Sequence, residues 1–225
     1  MLDSSSRKYW FDRNDDYHTQ RRKKQRFLRN QKTGLDFEDE MFALHKSHQV
    51  LFITLNIKPC FRDDVNFRTM QKFRDDLLRR IKDARAYARE RKRMGKPIQE
   101  HRRTILHDIR GLIWRQEYGE DGGSHHIHIV AFISVRRRDH GSAREDLGME
   151  WERIARGWGT FHPRARYRHA YRHKWGVATG YVHRDDDEKR YALRKLIGLY
   201  MAKVSQTPLD CTDADDLFGR RRFDS

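Results

Sequence analysis

The sequence has no run of eighteen apolar residues and no apolar signal segment at its N-terminus, so neither a membrane-spanning helix nor an exported precursor is expected. Cysteine is scarce. Cys60 and Cys211 are far apart and without CxxC spacing, which reads most simply as two free thiols of a reducing compartment. No GxxxxGK[ST] sequence is present, so no phosphate-cradling loop of the Walker type is expected. Negative charge is in deficit: 33 Asp and Glu stand against 49 Lys and Arg, giving a net charge of +16 and a pI near 10.1. A polyanion is the expected partner. The 225 residues allow one domain, or one domain with long tails, and the apolar content suffices for one core but not for two.

The stretch from Glu117 to Ile133 organises the rest. After its histidines it is apolar, β-branched or aromatic, which suits a strand covered on both faces. Side chains alternate along a strand, so His126 and His128 share a face with Val130 and Phe132, while Ile127, Ile129, Ala131 and Ile133 take the other. Two imidazoles separated by roughly 7 Å along one face can close on one cation. Residues 109 to 117 read as the preceding strand, and Gly119, Gly122 and Gly123 make the connection a turn. A hairpin then brings Glu117 near His126 and His128. A carboxylate with two imidazoles suits Mg²⁺ or Mn²⁺ completed by phosphate oxygens, and it is a zinc set as well. Against this stands chance, since thirteen histidines will place two of them two apart by accident.

Residues 1–35 read as a basic N-terminal arm, with Arg21-Arg22-Lys23-Lys24-Gln25-Arg26 either tracking phosphates or forming a merely solvated charged helix. Phe37, Met41 and Leu44 mark a short amphipathic helix. A strand from His48 to Ile57 follows, with Thr54 and Asn56 on one face opposite Leu51, Ile53 and Leu55, so that this polar face borders a site. Apolar residues at spacings of three and four predict a long helix from Asn66 to about Met94, ended by Gly95 and Pro97. Arg136, Arg137 and Arg138 mark a basic loop after the histidine strand. Residues 144 to 158 predict a helix. From Arg164 to Trp175, Arg166, Arg168 and Arg172 interleave with Tyr167, Tyr171 and Trp175; this suits a single nucleic-acid strand, or else an irregular surface loop. A short strand from Gly176 to His183 precedes a last helix from about Asp186 to Val204. Residues three apart on a helix are neighbours, so Lys203 can lie beside the Tyr200 hydroxyl or beside a phosphate that it attacks. Tyr200 taken alone reads as core. The tail, 207–225, reads as mobile and without a role.

Thr54 in a Phe-Ile-Thr-Leu strand, Glu117 with His126-Ile127-His128, and Tyr200-Met201-Ala202-Lys203 together resemble, in that order, the three motifs of HUH endonucleases, the single-strand nickases of rolling-circle replication. Within that superfamily the chain is most similar to the replication initiators of filamentous phages (inoviruses) and their prophage relatives. A short helix and turn before the first strand, here Leu44-His45-Lys46-Ser47-His48, and a final helix running into Lys203-Val204-Ser205-Gln206 add to the likeness. It spans roughly residues 37 to 206. His125 beside the pair is a departure, although strand alternation puts it on the far face.

The resemblance implies an α+β fold, a single central antiparallel sheet with helices on one face and the active site on the other, and a nickase domain over 36–206. It implies a metal-dependent DNA endonuclease in which Mg²⁺ or Mn²⁺ sits on His126, His128 and Glu117. Tyr200, aided by Lys203, attacks single-stranded DNA or an origin hairpin to leave a 5′-phosphotyrosine and a free 3′-hydroxyl. Thr54, Asn56, Arg136, Arg137, Arg138, Arg166, Arg168 and Arg172 would meet the DNA. Unwinding and synthesis would come from the helicase and polymerase of a bacterial host, in whose cytoplasm the chain would work. A transposase or plasmid relaxase with the same site, or a non-catalytic basic nucleic-acid-binding module, are the alternatives. The sequence leaves the oligomeric state, the nicked sequence and the physiological metal open.

Overall fold

The computed structural model describes residues 4–99, 103–119, 123–134, 140–161, 179–208, 211 and 214–223. Among the described residues six strands form one open antiparallel sheet: β1 (Ser47–Ile57), β2 (Ile109–Tyr118), β3 (His125–Ile133), β4 (Gly159–Phe161), β5 (Gly180–His183) and β6 (Phe218–Arg222). Their order is β4-β1-β3-β2-β6, and β5 pairs with the first residues of β1. The three central strands carry the apolar runs because both of their faces are covered.

Alternation sorts those runs into two cores, one on each face of the sheet, where the apolar content implies only one; the shared sheet serves both. Leu51, Ile53 and Leu55 of β1 and Ile127, Ile129 and Ile133 of β3 pack under α2 (Phe67–Arg93) and α3 (His140–Ile154). Val50, Phe52, Ile113, Val130 and Phe132 face the opposite way, under α1 (Tyr17–Leu44) and a C-terminal segment. That segment is α4 (Asp187–Lys195) continued by a π-helical turn, Leu196–Met201. Among the described residues, no helix is long and apolar enough to cross a membrane.

The α+β class and the single antiparallel sheet are as the sequence implied, but the layering is not. Helices cover both faces, and the candidate site shares one of them with α1 and the C-terminal segment instead of having a face to itself. The physical reason lies in residues 17–35. They are the first two-thirds of α1 rather than an arm, and the expected boundary at 35 falls within a continuous helix. Asp16 caps it, accepting a hydrogen bond from the Thr19 backbone at 3.0 Å. Phe27, Phe37 and Phe42 are all buried, and each such side chain contributes about 1.5–3 kcal/mol, whereas like-charge neighbours in the Arg21–Arg26 run cost only a few tenths each. Burial wins.

In the tail, residues 214–223 are also structured. Phe218–Arg222 pairs with β2, with Trp114 lying against the flat surface of Gly219. Leu217 and Phe223 are buried, and Arg74 holds Asp216 at 3.0 Å. The expected strand at 48–57 and the hairpin stand. The helix expected over 144–158 runs His140–Ile154 and is followed by an unexpected short strand, and the last helix is α-helical only to Lys195. Of the strand expected over 176–183, residues 176–178 lie outside the described residues. The helix after Asn66 starts on an Asn66 cap, whose side chain accepts from Thr69 N at 2.9 Å, and Gly95 at φ 67 closes it.

Candidate metal centre

Along the α1 face, the sheet passes from apolar to polar. Beyond Phe52, Val130 and Ile113 the same alternation presents Thr54 and Asn56 on β1, His128 and His126 on β3, and Arg115 and Glu117 on β2. Register makes them neighbours. Thr54 stands across from His128, Asn56 across from His126, and Glu117 across from His126 on the other side.

Both imidazoles are oriented through Nδ1. His128 Nδ1 lies 2.9 Å from the Thr54 hydroxyl, and His126 Nδ1 lies 3.2 Å from the Ser124 carbonyl. Their Nε2 atoms therefore converge on one point, 3.4 and 3.5 Å from Oε2 of Glu117. The three donor atoms lie within 4.8 Å of one another. Outer partners that fix the tautomer and aim the free nitrogen are what a histidine ligand needs. Oε2 is buried and lacks a well-aligned hydrogen bond among the described residues; it faces the two nitrogens and also the Lys203 ammonium at 2.7 Å. This donor set fits a divalent cation and leaves its identity open. His125 is turned to the far face, where its ring meets Tyr118 at 5.0 Å.

Charge is distributed unevenly around the carboxylate. Burial works against ionisation of Glu117, but the His128 imidazole and the Arg115 guanidinium overcome it, holding the pKa well below the usual carboxylate range. Arg115, 1% exposed, donates from Nε to Oε1 at 2.6 Å and from Nη2 to the Ser205 carbonyl at 2.7 Å. Burial pushes His128 down to about 4, against the pull of Glu117, so the ring is neutral at pH 7, as a metal ligand must be.

The C-terminal segment brings the remaining groups. The Tyr200 hydroxyl lies 3.0 Å from Nε2 of His128, and the ring meets Phe52 edge-on. Lys203 lies over that ring at 4.4 Å, but its ammonium does not stand free beside the phenol. It contacts Oε2 of Glu117 at 2.7 Å and donates to Gln206 Oε1 at 2.8 Å.

Of the residues the sequence singled out, the structure brings together Glu117, His126, His128, Tyr200, Lys203 and Thr54. The Thr54 hydroxyl faces the back of a histidine. Asn56 is half-buried on the same face, with its Nδ2 lacking a hydrogen bond among the described residues. Arg136, Arg137, Arg138, Arg166, Arg168 and Arg172 lie outside the described residues, as do Tyr167, Tyr171 and Trp175. Sequence reasoning missed Arg115, although the alternation that placed Glu117 puts Arg115 on the same face two residues earlier. Set against protein-family models, curated proteins and solved structures, the chain matches none of them.

Proposed function

We propose that this chain is a metal-dependent single-strand DNA endonuclease of the HUH type, a replication initiator that nicks and rejoins DNA through a phosphotyrosine. The observation that carries this reading is the 3.0 Å approach of the Tyr200 hydroxyl to Nε2 of His128, at the point where Glu117 and His126 also converge. A candidate nucleophile thus stands at the mouth of a candidate cation site in a chain of net charge +16.

A divalent cation held by His126, His128 and Glu117 would polarise the scissile phosphodiester and offset charge in the transition state. The Tyr200 oxygen forms the new bond to phosphorus, and the bond from phosphorus to the 3′ oxygen breaks. The phenol gives up its proton to solvent as the departing oxygen takes one up. A phenol is a poor nucleophile at its ordinary pKa of about 10, and the Lys203 ammonium over its ring favours the phenolate. Because one ester replaces another, bond energy is retained and the 3′-hydroxyl can reverse the step.

The test incubates the protein with labelled single-stranded and hairpin oligonucleotides and Mn²⁺. A covalent adduct should form, vanish in Tyr200→Phe, and survive in Tyr191→Phe, whose ring is 62% exposed on α4. His126→Ala with His128→Ala should abolish cleavage yet keep salt-sensitive binding. Adduct on Tyr191, or none with any oligonucleotide, sinks the reading.

One observation favours a second reading. The Lys203 ammonium contacts Oε2 of Glu117 at 2.7 Å, so an internal cation already neutralises the carboxylate. On that reading the cluster is a closed ion pair network, and the chain is a basic nucleic-acid-binding module.

A further inference from the structure

The C-terminal segment does not reach His128 as a regular α-helix. Leu196–Met201 is a π turn, in which each bond spans five residues, and the Ala202 N–H donates to the Ile197 carbonyl at 3.2 Å. One extra residue in a turn rotates all that follows by roughly 100° relative to the α4 register, since an α-helix has 3.6 residues per turn. That rotation decides which way Tyr200 points. Were the turn to relax to an α-helix, the phenol would leave Nε2 of His128.

A π turn in water is a rare conformation, and this one has external support. The Gly198 carbonyl loses both of its helical donors: Ala202 N–H goes to Ile197, and Lys203 N–H goes to the Tyr200 carbonyl at 3.4 Å. In their place Gln31 of α1 donates from Nε2 to Gly198 O at 2.8 Å. Asn30, buried on the next position of α1, donates to the Ala202 carbonyl at 3.4 Å. The two elements approach closely at Gly34, where a Cβ would stand 2.7 Å from the Ile197 side chain, and Gly198 lies beside Leu35. At the far end of the same antiparallel pairing, buried Glu38 holds Arg190 at 2.5 Å and Arg194 at 2.8 Å. Contacts thus run in register from 38 with 190 and 194 to 30 with 202.

We infer that α1 is a splint for the nucleophile: Gln31, with Asn30, is a positioning residue that stabilises the π turn and thereby aims the Tyr200 phenol at the His126, His128 and Glu117 cluster. The catalytic meaning of this rests on the nickase reading. The geometric claim does not.

The experiment uses the full chain and four forms: wild type, Gln31→Met, which keeps length and helix propensity but removes the donor, Tyr200→Phe, and Lys32→Ala as an exposed control on α1. Nitrogen-labelled histidine reports the His128 Nε2 resonance in metal-free protein at fixed pH. In Tyr200→Phe the resonance moves because its hydroxyl partner is gone. In Gln31→Met it should move in the same direction, while Lys32→Ala leaves it in place. In single-turnover reactions with Mn²⁺ and an oligonucleotide, Gln31→Met should slow adduct formation about tenfold at saturating DNA, the scale of one lost hydrogen bond. Half-saturation should not change. A Gln31→Met resonance coincident with wild type overturns the splint. So does a wild-type adduct rate, or a loss that appears only as weaker DNA binding. If wild type forms no adduct at all, the nickase reading fails, and the resonance alone decides the splint.

Discussion

Arg115 and Glu117 lie on one face of β2, and the guanidinium of the first grips Oε1 of the second at 2.6 Å with both groups sealed from solvent. The other arm of Arg115 reaches the Ser205 carbonyl, just past Lys203, so one buried side chain ties the metal-site carboxylate to the end of the tyrosine segment. Glu117 is thereby left with Oε2 as its outward atom, the one that faces both imidazoles.

Replacing Arg115 should therefore act on the site as well as on the fold. Arg115→Met removes the buried partner of Oε1 and leaves only Lys203 on the carboxylate, a change that costs up to about 3–5 kcal/mol. Arg115→Lys keeps the charge but cannot hold both Glu117 and Ser205, and should fold with a smaller loss of about 1–3 kcal/mol. In Arg115→Lys the affinity for Mn²⁺ should fall about 10–100-fold, the usual effect of disturbing a ligand's own partner. Titration calorimetry with Mn²⁺ alongside urea unfolding checks both. An affinity within twofold of wild type would mean that Glu117 does not need Arg115 to face the ion.

His48 makes stability depend on pH. Its Nε2 lies 2.9 Å from the Met41 carbonyl while its Nδ1 has no hydrogen-bond partner among the described residues, and Phe42 and Phe132 meet the ring edge-on. Burial holds the imidazole down to about 4 from an ordinary 6.5. The unfolded chain therefore binds the proton first, and stability is full above about 6.5 and is lost as the pH falls from there through about 4. The full effect is on the order of 3 kcal/mol. His48→Gln keeps a donor for Met41 but cannot titrate, so its unfolding free energy should fall less steeply over this window. Some slope will remain, because His128 is held near the same value. Urea midpoints at half-unit pH steps measure the difference, and parallel curves for the two proteins would exclude His48 as the source.

How far the sequence could be read follows from which signals were periodic. Strand alternation alone separated His126 and His128 from Ile127 and Ile129, and the hairpin then delivered Glu117, because register across a short turn leaves little freedom. The first two-thirds of α1 were illegible for a physical reason. The buried stripe of α1 runs Phe27, Asn30, Gly34, Phe37, Glu38, Met41 and Phe42, and its first three positions include Asn30 and Gly34, so the helical period is diluted there. Asn30, Gly34 and Glu38, with Gln31 and Leu35 beside them, meet the C-terminal segment. β6 was hidden similarly, since Arg220, Arg221 and Arg222 give a strand on the sheet edge the look of a charged tail. The π turn has no pattern of residue types to announce it. Only the bonds of Ala202 and Gln31 reveal it.

Lys203 separates the two readings of the site. Its ammonium contacts the same oxygen of Glu117 that a cation would use, at 2.7 Å. Like charges at such separations repel by several kcal/mol at the effective dielectric of a protein surface. A bound divalent ion must then either displace Lys203 or bind against it. Lys203→Met removes the competitor while Arg115 still holds Oε1, so Mn²⁺ affinity should rise, by about tenfold for each ~1.4 kcal/mol of repulsion relieved. Adduct formation should fall at the same time, because the ammonium over the Tyr200 ring no longer favours the phenolate. Tighter metal with slower chemistry marks Lys203 as a catalytic group that metal binding must push aside. Weaker metal in Lys203→Met would instead make it a support for Glu117. If neither protein binds Mn²⁺ in calorimetry, Lys203 is the cation of the site, and the chain is a nucleic-acid-binding module without a nickase centre.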